Sequence, residues 1–127
     1  MKILLIDDDA ISRKMLAQAL EQAGYFVIQG RNGRHGWETL FENDDIELVI
    51  TDMVMPDIDG RELVELIRQR HVNPALPVII FSGLVNQDEV QDLLDMGNCC
   101  FIAKPLNVGQ IKAAVLDLMQ ETQSRSG

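Results

Sequence analysis

Long apolar runs are missing from this sequence. None approaches the roughly 20 residues that a membrane-spanning helix needs, so no membrane association is expected. A secretory leader is missing too. Met1-Lys2-Ile3-Leu4-Leu5-Ile6 runs straight into Asp7, Asp8 and Asp9 with no small-residue cleavage site behind it, which makes a cytoplasmic location the expectation. Positive charge is scarce: 11 Lys and Arg stand against 20 Asp and Glu, a net charge of −9. Direct binding to nucleic acid is not expected, because phosphate recognition needs a basic patch. Cysteine is limited to the adjacent pair Cys99-Cys100, and neighbours in sequence do not easily reach disulfide geometry. Two small buried residues of a strand are expected there, ahead of redox or metal chemistry. Neither an internal repeat nor a linker is visible.

What is present is enough for one domain with a sizeable core: 127 residues, 46% of them apolar and 24% charged. Residues 1–121 read as that domain. Residues 122–127 read as a polar tail, disordered or foreign to the native chain. Short apolar runs at Lys2–Ile6, Tyr25–Ile28, Leu48–Thr51, Pro77–Phe81 and Cys99–Ala103 have the length and flanking turn signals of strands. They are continuous rather than alternating, which suggests burial on both faces of a parallel sheet.

Helical spacing fills the gaps between them. Ile11, Met15, Leu16, Ala19, Leu20 and Ala23 are expected on the inner face of the first helix, which stops at Gly24. A weaker helix spans Arg34–Glu42, with Trp37 as a core or half-buried filler and Gly36 as a helix-weakening residue. Asp59 and Glu62 look like the cap of a third helix, carrying Leu63, Val64, Leu66 and Ile67 inward. Val90, Leu93 and Leu94 face inward on a fourth, over Gln87–Met96, and Val108, Ile111, Val115 and Leu118 on a fifth, capped by Asn107. His35 and His71 are expected to be solvated. A helix between each pair of strands gives right-handed βαβ units and an α/β fold with a parallel sheet.

In such a sheet all carboxyl ends of the strands lie along one edge, and chemistry sits just beyond it. There the sequence places Asp7 and Asp8 after strand one, Asp52 at the end of strand three, Ser82 after strand four and Lys104 after strand five. Each has an ordinary explanation alone, as a helix cap, a turn residue or a solvated charge. Those explanations do not require all five to fall at the same edge. Carboxylates so close repel, by about 4 kcal/mol for a pair 4 Å apart at an effective dielectric near 20. A few oxygen ligands suit Mg²⁺, which keeps waters and is completed by phosphate oxygens. Beside a cation, Asp52 is a plausible nucleophile toward a phosphoryl group, with Lys104 and Ser82 placed to neutralise and hydrogen-bond its equatorial oxygens.

Asp7-Asp8, Asp52 with Met55-Pro56 and Asp59-Gly60, Ser82-Gly83 and Lys104-Pro105 together resemble the receiver domain of two-component response regulators, from Ile3 to about Met119. The resemblance implies a five-stranded sheet of order 2-1-3-4-5 flanked by five helices. It implies that Asp52 is the phosphoacceptor and that Asp8 and Asp52 ligate Mg²⁺, with Asp7 acting through water and Val54 offering its backbone carbonyl. Ser82 and Lys104 would contact the phosphoryl group, and Ser82 and Phe101 would be the switch pair that alters the surface of the fourth helix, fifth strand and fifth helix. The implied donor is a phosphohistidine on a sensor histidine kinase or phosphotransfer domain, with small acyl phosphates as substitutes. A phosphorylation-linked homodimer is permitted. Such a protein catalyses its own phosphoryl transfer and slow self-dephosphorylation and is not a turnover enzyme. Val54 and Leu84, two residues after Asp52 and Ser82, are apolar where many members carry polar side chains, so self-dephosphorylation is expected to be slow. Leu106 stands where a phenylalanine often follows the Lys-Pro pair.

Three other readings compete. A phosphatase of the haloacid dehalogenase type would use Asp7 as nucleophile, but it leaves Asp52 unexplained. A flavodoxin-like electron carrier needs a hydroxyl- and glycine-rich phosphate loop where this chain has three acids. A receiver-shaped interaction module that is never phosphorylated usually lacks one of the key groups, and all are present here.

Overall fold

The computed structural model describes residues 1–83, 86–105 and 107–126, with side chains described through Leu118. Leu84, with the centre of the Gly83–Asn86 loop, and Leu106 lie outside the described residues. The described chain alternates strictly: β1 (Lys2–Ile6), α1 (Ala10–Gln22), β2 (Phe26–Gly30), α2 (Gly33–Glu42), β3 (Leu48–Asp52), α3 (Gly60–Arg70), β4 (Val78–Ser82), α4 (Gln87–Asp95), β5 (Cys99–Ala103) and α5 (Val108–Ser126). All strand pairs are parallel and the order is β2-β1-β3-β4-β5, as the sequence implies.

The continuous apolar strands are explained by two cores. Because successive strand side chains point to opposite faces, Ile3 and Leu5 of β1 join Leu48, Ile50, Ile79 and Phe81 in a core covered by α1 and α5. Leu4 and Ile6 join Val49, Val78 and Ile80 in a second core under α2, α3 and α4. Among the described residues no helix is long and apolar enough to cross a membrane.

Several boundaries and faces differ from the sequence reading. β2 starts and ends later, at Phe26–Gly30, and β4 is shifted by one residue to Val78–Ser82. In α1 the inner stripe is Leu16, Ala17 and Leu20, while Ile11 and Met15 are 74% and 68% exposed. At about 100° per residue, Ile11 lies some 140° around the helix from Leu16, so the apolar positions of α1 cannot share one face. In α4 only Leu93 is buried, and Leu94 opens to solvent. Val108 of α5 is also exposed. The polar residues after 121, expected to form a disordered tail, continue α5 as helical backbone to Ser126. Cys99 and Cys100 are half-buried, because β5 is an edge strand, and they face opposite cores.

His71 is the clearest departure. It is buried, not solvated, at the C-terminal end of α3, where its Nδ1 accepts a hydrogen bond from the Asn73 N–H at 3.0 Å. Gly36 has a packing reason. A Cβ there would collide with Cδ1 of Ile6, so the bare backbone is what lets α2 lie close against β1.

Candidate active site: an acidic cluster bridged by a lysine

β1 and β3 lie side by side at the centre of the sheet, with Ile6 level with Thr51. The residues that follow, Asp7 and Asp52, therefore emerge together at one edge, and both are nearly fully buried. Asp8 is exposed beside them. One carboxylate oxygen from each of Asp7, Asp8 and Asp52 lies within 4.8 Å of the others, as the strand-end argument required.

Asp9, the fourth acid of the region, has another task. It caps α1, accepting from the N–H groups of Ile11 at 3.0 Å and Ser12 at 3.4 Å and from the Ser12 hydroxyl at 3.0 Å. The Ser12 hydroxyl and these backbone donors hold the Asp9 carboxyl below its ordinary range. Asp7 is shifted the other way. Burial pushes its carboxyl up, against the hydrogen bond it accepts from the Asp9 N–H at 3.0 Å, and the neighbouring charges of Asp52 and Asp8 add to the rise while Lys104 offsets it.

Lys104 reaches the cluster from the end of β5. Its Nζ donates to Oδ2 of Asp52 at 3.0 Å and stands 5.5 Å from the centroid of the Phe81 ring. The lysine side chain is 39% exposed and the aspartate side chain 9%, so the pair straddles the protein surface. Oδ1 of Asp52 accepts a long bond from the Val54 N–H, 3.3 Å. The turn after Asp52 is held by Gly60, whose N–H donates to the Met53 carbonyl at 2.8 Å and where a Cβ would lie 2.8 Å from the Asp52 carbonyl oxygen. Asp59 caps α3 through the Glu62 N–H at 2.8 Å, which confirms it as a cap.

Ser82 ends β4, between Asp52 and Lys104, and is buried. Its carbonyl accepts the Lys104 N–H at 2.8 Å, so β4 and β5 stay paired up to the site. Val54 points outward, 58% exposed. Phe101, half-buried, packs against the core under α4. A cavity of about 290 Å³ opens beside Ser82, lined also by Met53, Val54, Met55, Asp59 and Glu89. Glu89 is a site neighbour that sequence reasoning missed; an acid in the first turn of a helix carries no signal beyond capping.

Asp7, Asp8, Asp52, Ser82 and Lys104 thus meet at one edge, while Phe101 lies apart from the carboxylates. A family model for the response regulator receiver domain matches residues 3–116. The chain belongs to the response regulator receiver domain family. A chemotaxis protein CheY homolog of Campylobacter jejuni is 29% identical to this receiver domain over 120 residues, 94% of this chain and 92% of that protein. The 3',5'-cyclic-nucleotide phosphodiesterase regA of Dictyostelium discoideum is 32% identical over 126 residues, which are 98% of this chain and 16% of that protein. The crystal structure of a CheY-like receiver domain protein from Methanospirillum hungatei superposes with a TM-score of 0.88 at 27% identity, covering 99% of this chain and 98% of that one. The receiver domain of a signal transduction histidine kinase from Syntrophus aciditrophicus gives 0.83 at 28% identity, covering 94% and 90%. The protein is a CheY-like receiver domain of two-component signalling, and a receiver domain implies signalling partners.

Proposed function

We propose that this receiver domain is a phosphorylation-dependent switch in which Asp52 accepts a phosphoryl group from a phosphohistidine donor. The observation that carries the reading is the Lys104–Asp52 contact of 3.0 Å at the rim of the three-carboxylate cluster. A nearly buried carboxylate, a half-exposed ammonium and a buried hydroxyl at adjacent strand ends are the parts that phosphoryl transfer uses.

The donor set fits a divalent cation. Three carboxylate oxygens within 4.8 Å of one another offer hard oxygen ligands, and one ammonium does not balance them. Asp7, Asp8, Asp52 and the Val54 backbone carbonyl would hold Mg²⁺, which when bound neutralises charge on phosphate oxygens. The chain's own residues do the rest. An Asp52 carboxylate oxygen attacks phosphorus as the N–P bond of the donor breaks. The electron pair leaves with the imidazole nitrogen, which takes a proton from solvent, and an acyl phosphate remains on Asp52. Lys104 follows the charge from the carboxylate to the phosphoryl oxygens, and the Ser82 hydroxyl donates to one of them. Water returns Asp52 and inorganic phosphate slowly, since Val54 offers nothing to orient it. The protein performs its own phosphoryl transfer without turning over a substrate as an enzyme does.

The readout face lies alongside. Val90 and Leu94 of α4, Phe101 of β5 and Ala113 and Ala114 of α5 line a groove of about 620 Å³. Movement of Ser82 toward the phosphoryl group would free space for the Phe101 ring and reshape this groove, where a downstream partner or output domain would read it. A sensor histidine kinase or histidine phosphotransfer domain would supply the phosphoryl group, in the cytoplasm.

Intact mass after incubation with Mg²⁺ and acetyl phosphate tests the reading. One phosphoryl group is expected, and none in Asp52→Asn or without the metal. Addition that persists in Asp52→Asn would move the site to Asp7 or Asp8. No addition from acetyl phosphate or from a phosphohistidine donor would leave a receiver-shaped interaction module.

A further inference from the structure

The two carboxylates that follow β1 are held in different ways. Asp7 is fixed through its N–H, its carbonyl and its side chain. The N–H donates to the Gly30 carbonyl of β2 at 3.1 Å, Oδ1 accepts from the Asp9 N–H at 3.0 Å, and the carbonyl accepts from Nη1 of Arg13 at 2.7 Å. Asp8 is exposed, and among the described residues no hydrogen bond holds its carboxylate. Its place in the cluster is set instead by the two peptides that flank it. One is pinned at the Asp7 carbonyl by Arg13, the other at the Asp9 N–H by Asp7.

Arg13 lies near the start of α1 and is half-buried. While Nη1 reaches the Asp7 carbonyl, its Nε donates to Oε1 of Gln29 on β2 at 3.2 Å. A planar guanidinium engaged through two nitrogens is held in one orientation. Helix stability does not explain this residue, because a cation near the N-terminal end of a helix opposes the helix dipole. Charge neutralisation does not explain it either. Arg13 is bonded to the backbone of one of the three acids, yet among the described residues it forms no ion pair and donates to neutral oxygens. A short charge-assisted bond to a backbone carbonyl fixes a peptide plane.

We propose that Arg13 is a positioning residue for the cation site. It holds the Asp7–Asp8 peptide so that the Asp8 carboxylate stays beside those of Asp7 and Asp52, and Gln29 steers it from β2. The inference rests on the reading of Asp7, Asp8 and Asp52 as ligands of a divalent cation. Its sign separates it from plain electrostatics. Removing a cation from beside an acidic cluster should make the cluster bind Mg²⁺ more tightly. Removing the residue that aims a ligand should make it bind more weakly.

The test is a Mg²⁺ titration of the labelled full chain, followed by the amide NMR shifts of Asp8 and Met53, with melting curves on the same samples. Arg13→Met is expected to weaken Mg²⁺ by about tenfold, the cost of losing one partner that orients a metal ligand. Arg13→Lys, which can donate to the Asp7 carbonyl but not to Gln29 as well, should fall between that variant and the wild type. Gln29→Leu changes an exposed position on an edge strand, keeps the arginine, and should weaken Mg²⁺ by a smaller factor. Unchanged or tighter Mg²⁺ binding in a folded Arg13→Met, or in Gln29→Leu, would overturn the inference. Asp8→Asn keeps two failures apart. If it weakens Mg²⁺ and Arg13→Met does not, the role of Arg13 alone falls. If Asp8→Asn leaves the affinity unchanged, the reading of the cation site falls and this inference with it.

Discussion

Two cations sit at opposite edges of the same sheet, and they are held in opposite ways. Arg68, near the end of α3, donates to the backbone carbonyls of Pro74 at 2.9 Å, Leu76 at 2.8 Å, Met96 at 3.3 Å, Gly97 at 2.7 Å and Asn98 at 3.4 Å, and approaches Cys99 Sγ at 3.7 Å. Its planar fork is saturated, and it pins the loops entering β4 and β5. Among the described residues Lys104 makes one side-chain hydrogen bond, to a carboxylate that itself sits in a cluster of like charge. A saturated cation can only stabilise. A cation held by one such bond among the described residues, beside an acid it does not fully neutralise, can follow a new negative group.

That contrast predicts separable effects. The largest is on chemistry. Lys104→Met should slow phosphoryl incorporation from acetyl phosphate by about 10²-fold, the order expected for losing one preorganised electrostatic contact, with little change in thermal stability. Intact-mass time courses and melting curves on one preparation separate the two. Arg68→Met should do the reverse. Leaving several carbonyls without their donor should cost about 2–3 kcal/mol in denaturant unfolding, with Arg68→Lys recovering little and Asp52 still phosphorylated in the folded fraction. If Lys104→Met unfolds the protein while Arg68→Met abolishes labelling, the division of roles is wrong.

A smaller effect concerns the lifetime of the acyl phosphate. Val54→Asn places a polar side chain beside Asp52 and should shorten the phosphoryl half-life several-fold, on the order of 1 kcal/mol of barrier, as read by loss of mass shift after removal of donor. The smallest concerns pH. The raised Asp7 carboxyl binds its proton more tightly folded than unfolded, so this group's stabilising contribution is complete at low pH and is lost as pH rises through its folded-state range. Asp7→Asn should therefore raise Tm at pH 7 by roughly 3 °C in chelator, and the gain should vanish below about pH 4, where the wild-type acid is protonated too. Asp9 and Asp45, both held below the ordinary range, act with the opposite sign and lose their contribution on acidification. A gain for Asp7→Asn that persisted undiminished in acid would mean that packing, not charge, sets the effect.

The same edge-to-edge contrast explains what could be read from the sequence. The strand ends were legible because each is an apolar run stopped by a polar residue, and parallel topology then forces those residues together. Asp7, Asp8, Asp52, Ser82 and Lys104 needed no side-chain detail to be placed. Arg68 and His71 left no such mark. Their partners are backbone carbonyls and a backbone N–H of loops, which carry no residue-type signature. The face of α1 was misread because Ile11 and Met15 are apolar yet lie outside the arc that meets the sheet. Gly36 reads as a weak point in a helix until Ile6 is seen against it.

Asp52 ends β3 and Lys104 directly follows β5, and β4 lies between these strands. Two strand spacings amount to roughly 10 Å, so the lysine side chain must arch over the end of β4, above Ser82, to touch its carboxylate. The arch is a tether of fixed length between a central strand held on both sides and an edge strand held on one. Under the proposed function, a group bonded to Asp52 would insert itself into that span, and the edge strand is the end with fewer moorings. The sheet would then convert the presence of one small group into a displacement whose direction is settled before the group arrives.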